Sequence, residues 1–288
     1  MSAILELRDV SYEYNPKTPF ATAALRHVDL SFEKGRIIGV IGHTGSGKST
    51  LVQLLNGLLR PSSGTVLLDG ADIWAKPKEI TKVRFRVGLV MQYPEYQLFD
   101  ATVRGDIGFG PRNMGLSPEE IDLRVLEAAK FVGIEPDIFE KSPFDLSGGQ
   151  RRRVAIAGVI AMRPEVLILD EPAAGLDPRG RREILSGLYR YGRESGTTVI
   201  LVSHSMEDMA HYCDDVVVMN EASVYMKGTV HEVFSEAVRL SEIGLDIPEV
   251  AKIATALRRR GIPLAGDLYT VMGVRDAVLS YLRGGVTP

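Results

Sequence analysis

Five short, almost uninterrupted apolar runs constrain the fold more than any other feature of this sequence. They are rich in β-branched residues and lie at residues 36–42, 87–91, 166–170, 197–203 and 216–219. Strands of this kind are covered on both faces, as in a parallel sheet with helices on either side. Helix patterns separate the runs. The chain is therefore predicted to have an α/β fold.

The N-terminal part has a different pattern. Residues 4–14 and 24–33 alternate apolar and polar side chains, which predicts antiparallel strands. A helical insert is predicted at about residues 95–160, where Ser117 and Pro118 begin one helix and Gly133 ends it. The predicted architecture is thus an α/β core with an antiparallel N-terminal β subdomain and a helical insert.

The C-terminal part lacks the strand signal after about residue 233. Residues 248–260 form an amphipathic helix pattern, and a second helix is predicted at residues 274–283. We therefore predict a main domain over residues 1–233 and a small C-terminal helical appendage over residues 234–288.

Composition narrows the possible classes of protein. The 288 residues are 45% hydrophobic and 25% charged, with a formal net charge of −3. This near-neutral balance disfavours a dedicated nucleic-acid binder. The single cysteine, Cys213, allows no internal disulfide and suits a reducing cytosol. No apolar run approaches the roughly 18 to 20 residues of a membrane span, and no signal peptide is predicted. A role at a membrane would therefore require a partner.

A glycine-rich turn follows the first apolar run directly. Residues 42–49 read Gly-His-Thr-Gly-Ser-Gly-Lys-Ser, the P-loop pattern, and a helix is predicted at residues 50–58. Glycines let backbone N–H groups turn toward phosphate oxygens, and the helix N-terminus adds its positive dipole end. Lys48 is expected to reach the β- and γ-phosphates and Ser49 to ligate Mg²⁺. The predicted phosphate-binding set is Gly42, His43, Thr44, Gly45, Ser46, Gly47, Lys48, Ser49 and Thr50.

An apolar strand that ends in two carboxylates supplies the second motif. Asp170 and Glu171 follow the run at residues 166–169, which places them at the carboxyl edge of the sheet, where parallel sheets bind ligands. Asp170 suits a water-mediated hold on Mg²⁺, and Glu171 suits a general base that deprotonates an attacking water. Alone the pair fits a solvated strand end equally well; beside a P-loop it predicts a hydrolytic site.

A second anion-binding nest is predicted at residues 146–150, Leu-Ser-Gly-Gly-Gln. Ser147 begins a helix, and the two glycines add N–H donors at the helix N-terminus. The predicted contacts are Ser147, Gly148, Gly149 and Gln150. The P-loop alone provides a complete phosphate-binding site, so a nucleotide bound there does not need the second nest. This surplus is resolved if each nucleotide lies between two subunits.

The order of these motifs resembles the ATP-binding cassette (ABC) ATPases over about residues 4–233. The resemblance implies a P-loop NTPase core, ATP and Mg²⁺ as ligands, ATP hydrolysis as the activity, and the Ser147 nest of one subunit covering the P-loop of another. It implies the following roles: Tyr14 stacks on adenine, Gln92 reaches Mg²⁺ and the attacking water, His204 contacts the γ-phosphate, and Leu176-Asp177 crosses the dimer interface. The catalytic set is then Glu171, His204, Gln92 and Lys48, and the metal ligands are Ser49, Gln92 and Asp170.

The stretch at residues 92–99, Gln-Tyr-Pro-Glu-Tyr-Gln-Leu-Phe, narrows the resemblance. Together with residues 106–116 and 244–248 it resembles the energy-coupling-factor (ECF) ATPases, more the second ATPase of a heterodimeric module than the first. The resemblance implies that the chain takes part in the uptake of a vitamin or metal ion and lies peripherally on the cytoplasmic side of the cell membrane. It also implies that nucleic acid is not a partner. The implied partners are a second ABC ATPase, a transmembrane scaffold subunit and a substrate-binding membrane subunit. The loop would then connect a γ-phosphate sensor to a groove for a helix of the membrane subunit.

Alternatives remain open from the sequence. A soluble ABC ATPase acting on a nucleic-acid complex usually has two cassettes or a coiled-coil insertion, and an ordinary ABC importer ATPase lacks the run Gln97-Leu98-Phe99. Leu98-Phe99 could pack under the insert instead of lining the groove. Residues 151–153, three arginines, could form a solvated helix face or lie near the groove. In the appendage, a predicted apolar stripe for dimerisation consists of Val250, Ile253, Ala254 and Leu257.

Overall fold

The computed structural model of the protein describes residues 2–266 and 268–283. Its first sheet is four-stranded and antiparallel, in the order β2-β1-β4-β5. The strands are β1 (Ala3–Tyr14), β2 (Thr22–Glu33), β4 (Ser63–Leu68) and β5 (Ala71–Asp72). β1 buries Leu5 and Leu7 on one face, as its alternating pattern requires. The predicted antiparallel N-terminal strands are confirmed.

The second sheet is six-stranded and contains all five predicted apolar runs. Its order is β10-β9-β3-β8-β7-β6, and only the edge strand β10 is antiparallel to its neighbour. The strands are β3 (Ile37–Gly42), β6 (Val87–Val90), β7 (Val166–Asp170), β8 (Thr198–Val202), β9 (Asp215–Asn220) and β10 (Ser223–Thr229). Every residue of β3, β7 and β8 is buried, because both faces of this sheet are covered.

The helices pack around this sheet, and the predicted insert lies between β6 and β7. The helices up to residue 242, of which the last already lies in the predicted appendage, are α1 (Lys48–Leu55), α2 (Ile80–Arg86), α3 (Val103–Asn113), α4 (Pro118–Val132), α5 (Gly148–Ile160), α6 (Pro178–Ser195), α7 (Met206–Tyr212), α8 (Val230–Ser235) and α9 (Ala237–Glu242). Ser117 caps α4 by accepting from the Glu120 N–H, and Gly133 ends it in a left-handed conformation. The α/β fold class with its helical insert is therefore confirmed.

Two cores lie on opposite faces of the six-stranded sheet. Along β7, Leu167 and Leu169 pack with the insert helices, whereas Val166 and Ile168 pack toward α1 and the antiparallel sheet. This division follows from the period of two along a strand. The sheet therefore positions its carboxyl edge, where functional residues are expected, between the two subdomains.

The appendage contains α10 (Glu249–Arg259) and α11 (Val271–Leu282). Its own small core consists of Ala254, Leu264, Leu268 and Val274, with Val250 and Leu257 packed against it. Of the predicted dimerisation stripe only Ile253 is exposed. The domain boundary after residue 233 stays a prediction; residues 1, 267 and 284–288, which the predicted domains include, lie outside the described residues.

Candidate active site at the carboxyl edge of the sheet

The P-loop conformation depends on glycine at its two ends. Gly42 ends β3 with φ 151°, and a Cβ there would lie 2.3 Å from the Met219 carbonyl oxygen. Gly47, at φ 101°, precedes α1, and a Cβ there would lie 2.5 Å from the Ala24 carbonyl oxygen. Any side chain at these positions would displace the loop. The loop thus presents the N-terminus of α1 to open space.

A cavity of about 400 Å³ lies in front of this loop. It brings together predicted site residues from five parts of the chain: Tyr14, Thr44, Gly45, Gly47, Lys48, Ser49, Thr50, Gln92, Asp170, Glu171 and His204. Gly42, His43 and Ser46 belong to the same loop. Thr22, Ala23 and Ala24 also line the cavity, although no sequence motif indicates them. Small residues at the start of a strand carry no chemical signal that would have revealed them.

Lys48 is buried and held by backbone oxygens of its own loop. Its Nζ donates to the carbonyls of Gly42 at 2.6 Å and His43 at 2.8 Å. Burial lowers the pKa of Lys48, while the carboxylates of Glu171 and Asp170 oppose that shift. An ammonium has three donors, so one remains for a ligand. Lys48 is thus a cation already fixed at the mouth of the loop.

The two carboxylates at the end of β7 differ in their environments. Burial raises the pKa of Asp170, and a hydrogen bond from Ser49 opposes the shift. Burial, followed by the charge of Asp170, raises the pKa of Glu171 to about 7. Glu171 has φ 51°, a left-handed conformation uncommon outside glycine, and its N–H donates to the Val202 carbonyl at 3.0 Å. A carboxyl with this pKa can both take and release a proton near neutrality.

His204 stands beside this carboxyl: its backbone donates a hydrogen bond that opposes the rise in the pKa of Glu171, but the two side chains are not hydrogen-bonded to each other. His204 Nε2 lies 3.5 Å from Glu171 Oε1, and that buried oxygen has no hydrogen-bond partner. Burial, then the charge of Lys48, lowers the pKa of His204. The neutral imidazole and the unpaired oxygen both have hydrogen-bonding capacity left for a ligand in the cavity.

The donor atoms here fit Mg²⁺ bound together with a phosphate chain. Ser49, Gln92 and Asp170 supply the oxygens that Mg²⁺ prefers, and two buried oxygens, Ser46 Oγ and Glu171 Oε1, are unpaired. Within residues 2–266 and 268–283 no group of three or more His, Cys, Asp or Glu side chains could hold a metal ion. The site therefore suits an ion that shares its coordination with substrate phosphates.

The second nest faces a different cleft. Ser147 caps α5 by accepting from the Gln150 N–H at 3.3 Å, and Gln150 Oε1 accepts from the Ser147 N–H at 3.1 Å. This capping box lines a cleft of about 220 Å³ that it shares with Leu176 and Asp177. None of the nest residues lines the cavity at the P-loop. The two nests therefore do not face one common ligand within the chain.

The loop after β6 divides the Leu98-Phe99 pair. Leu98 is 8% exposed and packs in the main core, whereas Phe99 is 59% exposed and packs edge-on against Phe109, with ring centroids 4.8 Å apart. Tyr93 and Tyr96 are exposed on the same loop. The prediction that both members of the pair line a groove is wrong for Leu98, and the packing alternative is correct for it.

Of the three arginines at residues 151–153, Arg152 departs from the solvated-face alternative. Arg152 is buried, and its guanidinium is paired with Glu95. It is therefore not on a solvated face; it lies beside the loop after β6, where the groove is predicted. Its position four residues before Ile156 and eight before Ile160 places it on the buried stripe of α5. That spacing was the signal available in the sequence.

The start of the appendage reaches the P-loop. His43 Nε2 donates to the Ile243 carbonyl at 2.5 Å, and the Glu249 N–H donates to Glu207 Oε1 at 3.3 Å, where Glu207 lies on α7 just after His204. Gly244 has φ 71°, and a Cβ there would lie 3.2 Å from His43 Nε2. This segment therefore touches two neighbours of the nucleotide cavity.

Together, the fold and the site define a P-loop ATPase of the ABC type. The family model described as ABC transporter matches residues 25–174. The energy-coupling factor transporter ATP-binding protein EcfA2 of Caldanaerobacter subterraneus subsp. tengcongensis is 51% identical over 280 residues, covering 97% of this chain and 98% of the relative. The chain therefore belongs to the ABC transporter family and, within it, to the ATP-binding proteins of ECF transporters.

Solved structures agree with this assignment. The structure of cbiO1 from Clostridium perfringens, described as part of the ABC transporter complex cbiONQ, has a TM-score of 0.75 at 40% identity and covers 90% of this chain and 100% of that one. The ATP-binding cassette MJ0796, a dimer in a post-hydrolysis state bound to ADP and Pi, has a TM-score of 0.71 at 27% identity over 78% of this chain and 98% of that one.

Proposed function

We propose that this chain is one of two ATPase subunits of an ECF importer for a vitamin or metal ion. It binds peripherally at the cytoplasmic side of the cell membrane, to a transmembrane scaffold subunit that works with a substrate-binding membrane subunit. Within the described residues no helix has the length and apolar character needed to cross a membrane. Contact with the membrane complex is assigned to the loop after β6, where Tyr96 and Phe99 are exposed.

The observation that carries the dimer proposal is the separation of the two nests. The P-loop cavity is lined by this chain's hydrolytic residues, whereas Ser147 lines another cleft together with Leu176 and Asp177. A second ATPase subunit, a paralogue or another copy, would bring its own nest over the P-loop of this chain. A relative whose solved structure is dimeric with ADP and Pi supports this arrangement.

The residue roles follow from the chemistry of the cavity. Backbone N–H groups of residues 43–50 and Lys48 Nζ hold the phosphates, and Tyr14 stacks on adenine beside Thr50, to which its hydroxyl is hydrogen-bonded at 3.2 Å. Ser49, Asp170 and Gln92 hold Mg²⁺, which neutralises phosphate charge when bound. Glu171 takes the proton of the attacking water, and His204 contacts the γ-phosphate. Gly148, Gly149 and Gln150 extend the Ser147 nest toward the partner's nucleotide.

Affinity purification tests the assignment. A tag on this chain should recover a second cassette chain and a multi-span membrane protein from detergent-solubilised membranes. Lys48→Ala should keep this assembly but reduce ATP hydrolysis by at least about 10²-fold, since it removes the cation at the phosphates. Recovery of the chain alone, with turnover that is independent of protein concentration, would contradict the proposal. Recovery with a nucleic-acid complex would favour the soluble alternative.

A further inference from the structure

One guanidinium joins helix α5 to two loops that lie near the two nests. Arg152 Nη2 donates to Glu95 Oε1 at 2.6 Å, and its Nε donates to Glu95 Oε2 at 3.0 Å. The side chains are 4% and 11% exposed. Burial alone would raise the pKa of Glu95, but the hydrogen bonds from Arg152 hold it below its usual value. The pair is thus a forked ion pair shielded from water.

The same guanidinium has two further neighbours. Arg152 Nη1 donates to the carbonyl of Ala174, and its Cζ lies 5.8 Å from the ring centroid of Tyr93. Ala174 belongs to the short loop between Glu171 and Leu176. The planar group therefore fixes the loop after β6, the first turns of α5 and the loop after β7 relative to one another.

These three segments serve different nucleotides under the proposed function. Gln92 and Glu171 line this chain's own cavity, whereas the Ser147 nest and Leu176-Asp177 face the cleft assigned to the partner's nucleotide. Glu95 lies three residues after Gln92, and Arg152 lies five residues after Ser147. We propose that Arg152 is a positioning residue that couples this chain's own nucleotide site to the elements it contributes to the partner's site. This inference rests on the proposed two-subunit arrangement.

The chemistry of arginine explains why this position is sensitive. Its five donors point in fixed directions in one plane, so it can bond to a carboxylate and a separate carbonyl at once. A lysine retains the charge but not the fork. Removal of either member leaves the other charge buried and unpaired, and the two loops and α5 are then no longer held together by this pair.

The test compares turnover with ATP affinity in the complex recovered through a tag on this chain. Arg152→Met should lower kcat by about tenfold, as expected for a lost coupling between sites. The KM for ATP and the affinity of this chain for a fluorescent ATP analogue should change by less than about twofold, because no group that touches ATP is altered. The matched control is Arg36→Met, which removes a similar part-buried ion pair with Asp215. This pair lies at the start of β3, whereas the P-loop follows the end of β3, so kcat should not change.

A mutant cycle separates positioning from a general loss of structure. Glu95→Gln keeps the shape of the side chain and should reproduce the fall in kcat, and the double variant should be no worse than Arg152→Met, since both changes break one contact. Arg152→Lys should restore part of the activity. If Arg152→Met does not assemble, Glu95→Gln is measured in its place against the same expectation.

Two results would overturn the inference. One is an unchanged kcat in a folded, assembled Arg152→Met complex; the other is a loss of ATP affinity as large as the loss of kcat, with effects of Glu95→Gln and Arg152→Met that multiply. Turnover that needs no second cassette chain would instead refute the proposed function, whatever Arg152 does. The two failures are thus distinguishable.

Discussion

The nucleotide-binding edge of the sheet and the C-terminal appendage differ in the side chains that they bury and in those that they expose. The edge buries charged groups, Lys48 and Asp170 among them, and holds them with glycine turns on a sheet that is covered on both faces. Beyond α9, the appendage has a separate core of four buried side chains. It leaves large apolar groups in solvent: Ile253, Val271, Met272, Leu279, Tyr281 and Leu282. The edge is therefore complete enough to bind a ligand, whereas the appendage has apolar area that suits a partner.

The largest effect should come from the edge. Glu171→Gln should reduce ATP turnover of the assembled complex by about 10²- to 10⁴-fold, because it removes the general base. Nucleotide binding should persist, and the ATP-bound dimer should accumulate in sedimentation experiments. Turnover close to that of the wild type would remove Glu171 from its role.

The same residue should make the free energy of unfolding of the nucleotide-free protein depend on pH. The pKa of Glu171 is about 7 in the folded chain against an ordinary 4.5, so the folded state binds more protons between these values and loses stability as the pH rises through them. Glu171→Gln should therefore raise the free energy of unfolding at pH 8, by up to roughly 3 kcal/mol, and have little effect at pH 4. Urea unfolding in EDTA without nucleotide measures this. The exposed Glu242→Gln serves as the control for the substitution itself.

Phe99, an exposed apolar side chain outside the appendage, should also contribute to the binding of a partner subunit. Phe99→Asp should weaken binding of the membrane subunit by roughly 2 kcal/mol, about thirtyfold, and leave nucleotide affinity intact. Phe20→Asp, at another exposed phenylalanine, is the matched control. Leu98→Asp should instead destabilise the fold, since it places a charge in the core. A pull-down of the membrane subunit with each variant measures this binding. Full binding by Phe99→Asp would show that Phe99 does not line a groove for the membrane subunit.

Truncation should separate the appendage from the edge. Removal of residues 249–288 should weaken the ATPase dimer by about tenfold, through loss of apolar contact, with the ATP affinity of the isolated chain unchanged. Removal of residues 234–288 should also lower the free energy of unfolding, because Phe234, Leu240 and Leu245 pack in the main core and each contributes about 1.5 to 3 kcal/mol. Sedimentation and thermal unfolding of both truncations test this. Unchanged dimer affinity after the shorter cut would assign the appendage another task.

The sequence was most informative where chemistry demands fixed spacing. The P-loop and the Asp170-Glu171 pair could be placed at one sheet edge because strands of known period end there. Leu98 and Phe99 could not be told apart, since an irregular loop has no period that assigns one neighbour to the core. Arg152 was obscured by the arginines on either side of it. The appendage core could not be foreseen because Leu264 and Leu268 lie between helices, where no pattern marks them as buried.

The bond between His43 and Ile243 has a thermodynamic consequence. One residue presents its backbone oxygen to Lys48 and its ring to the segment that leads into the appendage. If closure of the loop on ATP alters this contact, ATP and a partner bound at the appendage are linked ligands. Linkage is reciprocal, so the factor by which the partner changes ATP affinity must equal the factor by which ATP changes partner affinity. ATP is titrated with the partner absent and then saturating, and the partner is titrated with ATP absent and then saturating. Both experiments should give the same coupling free energy.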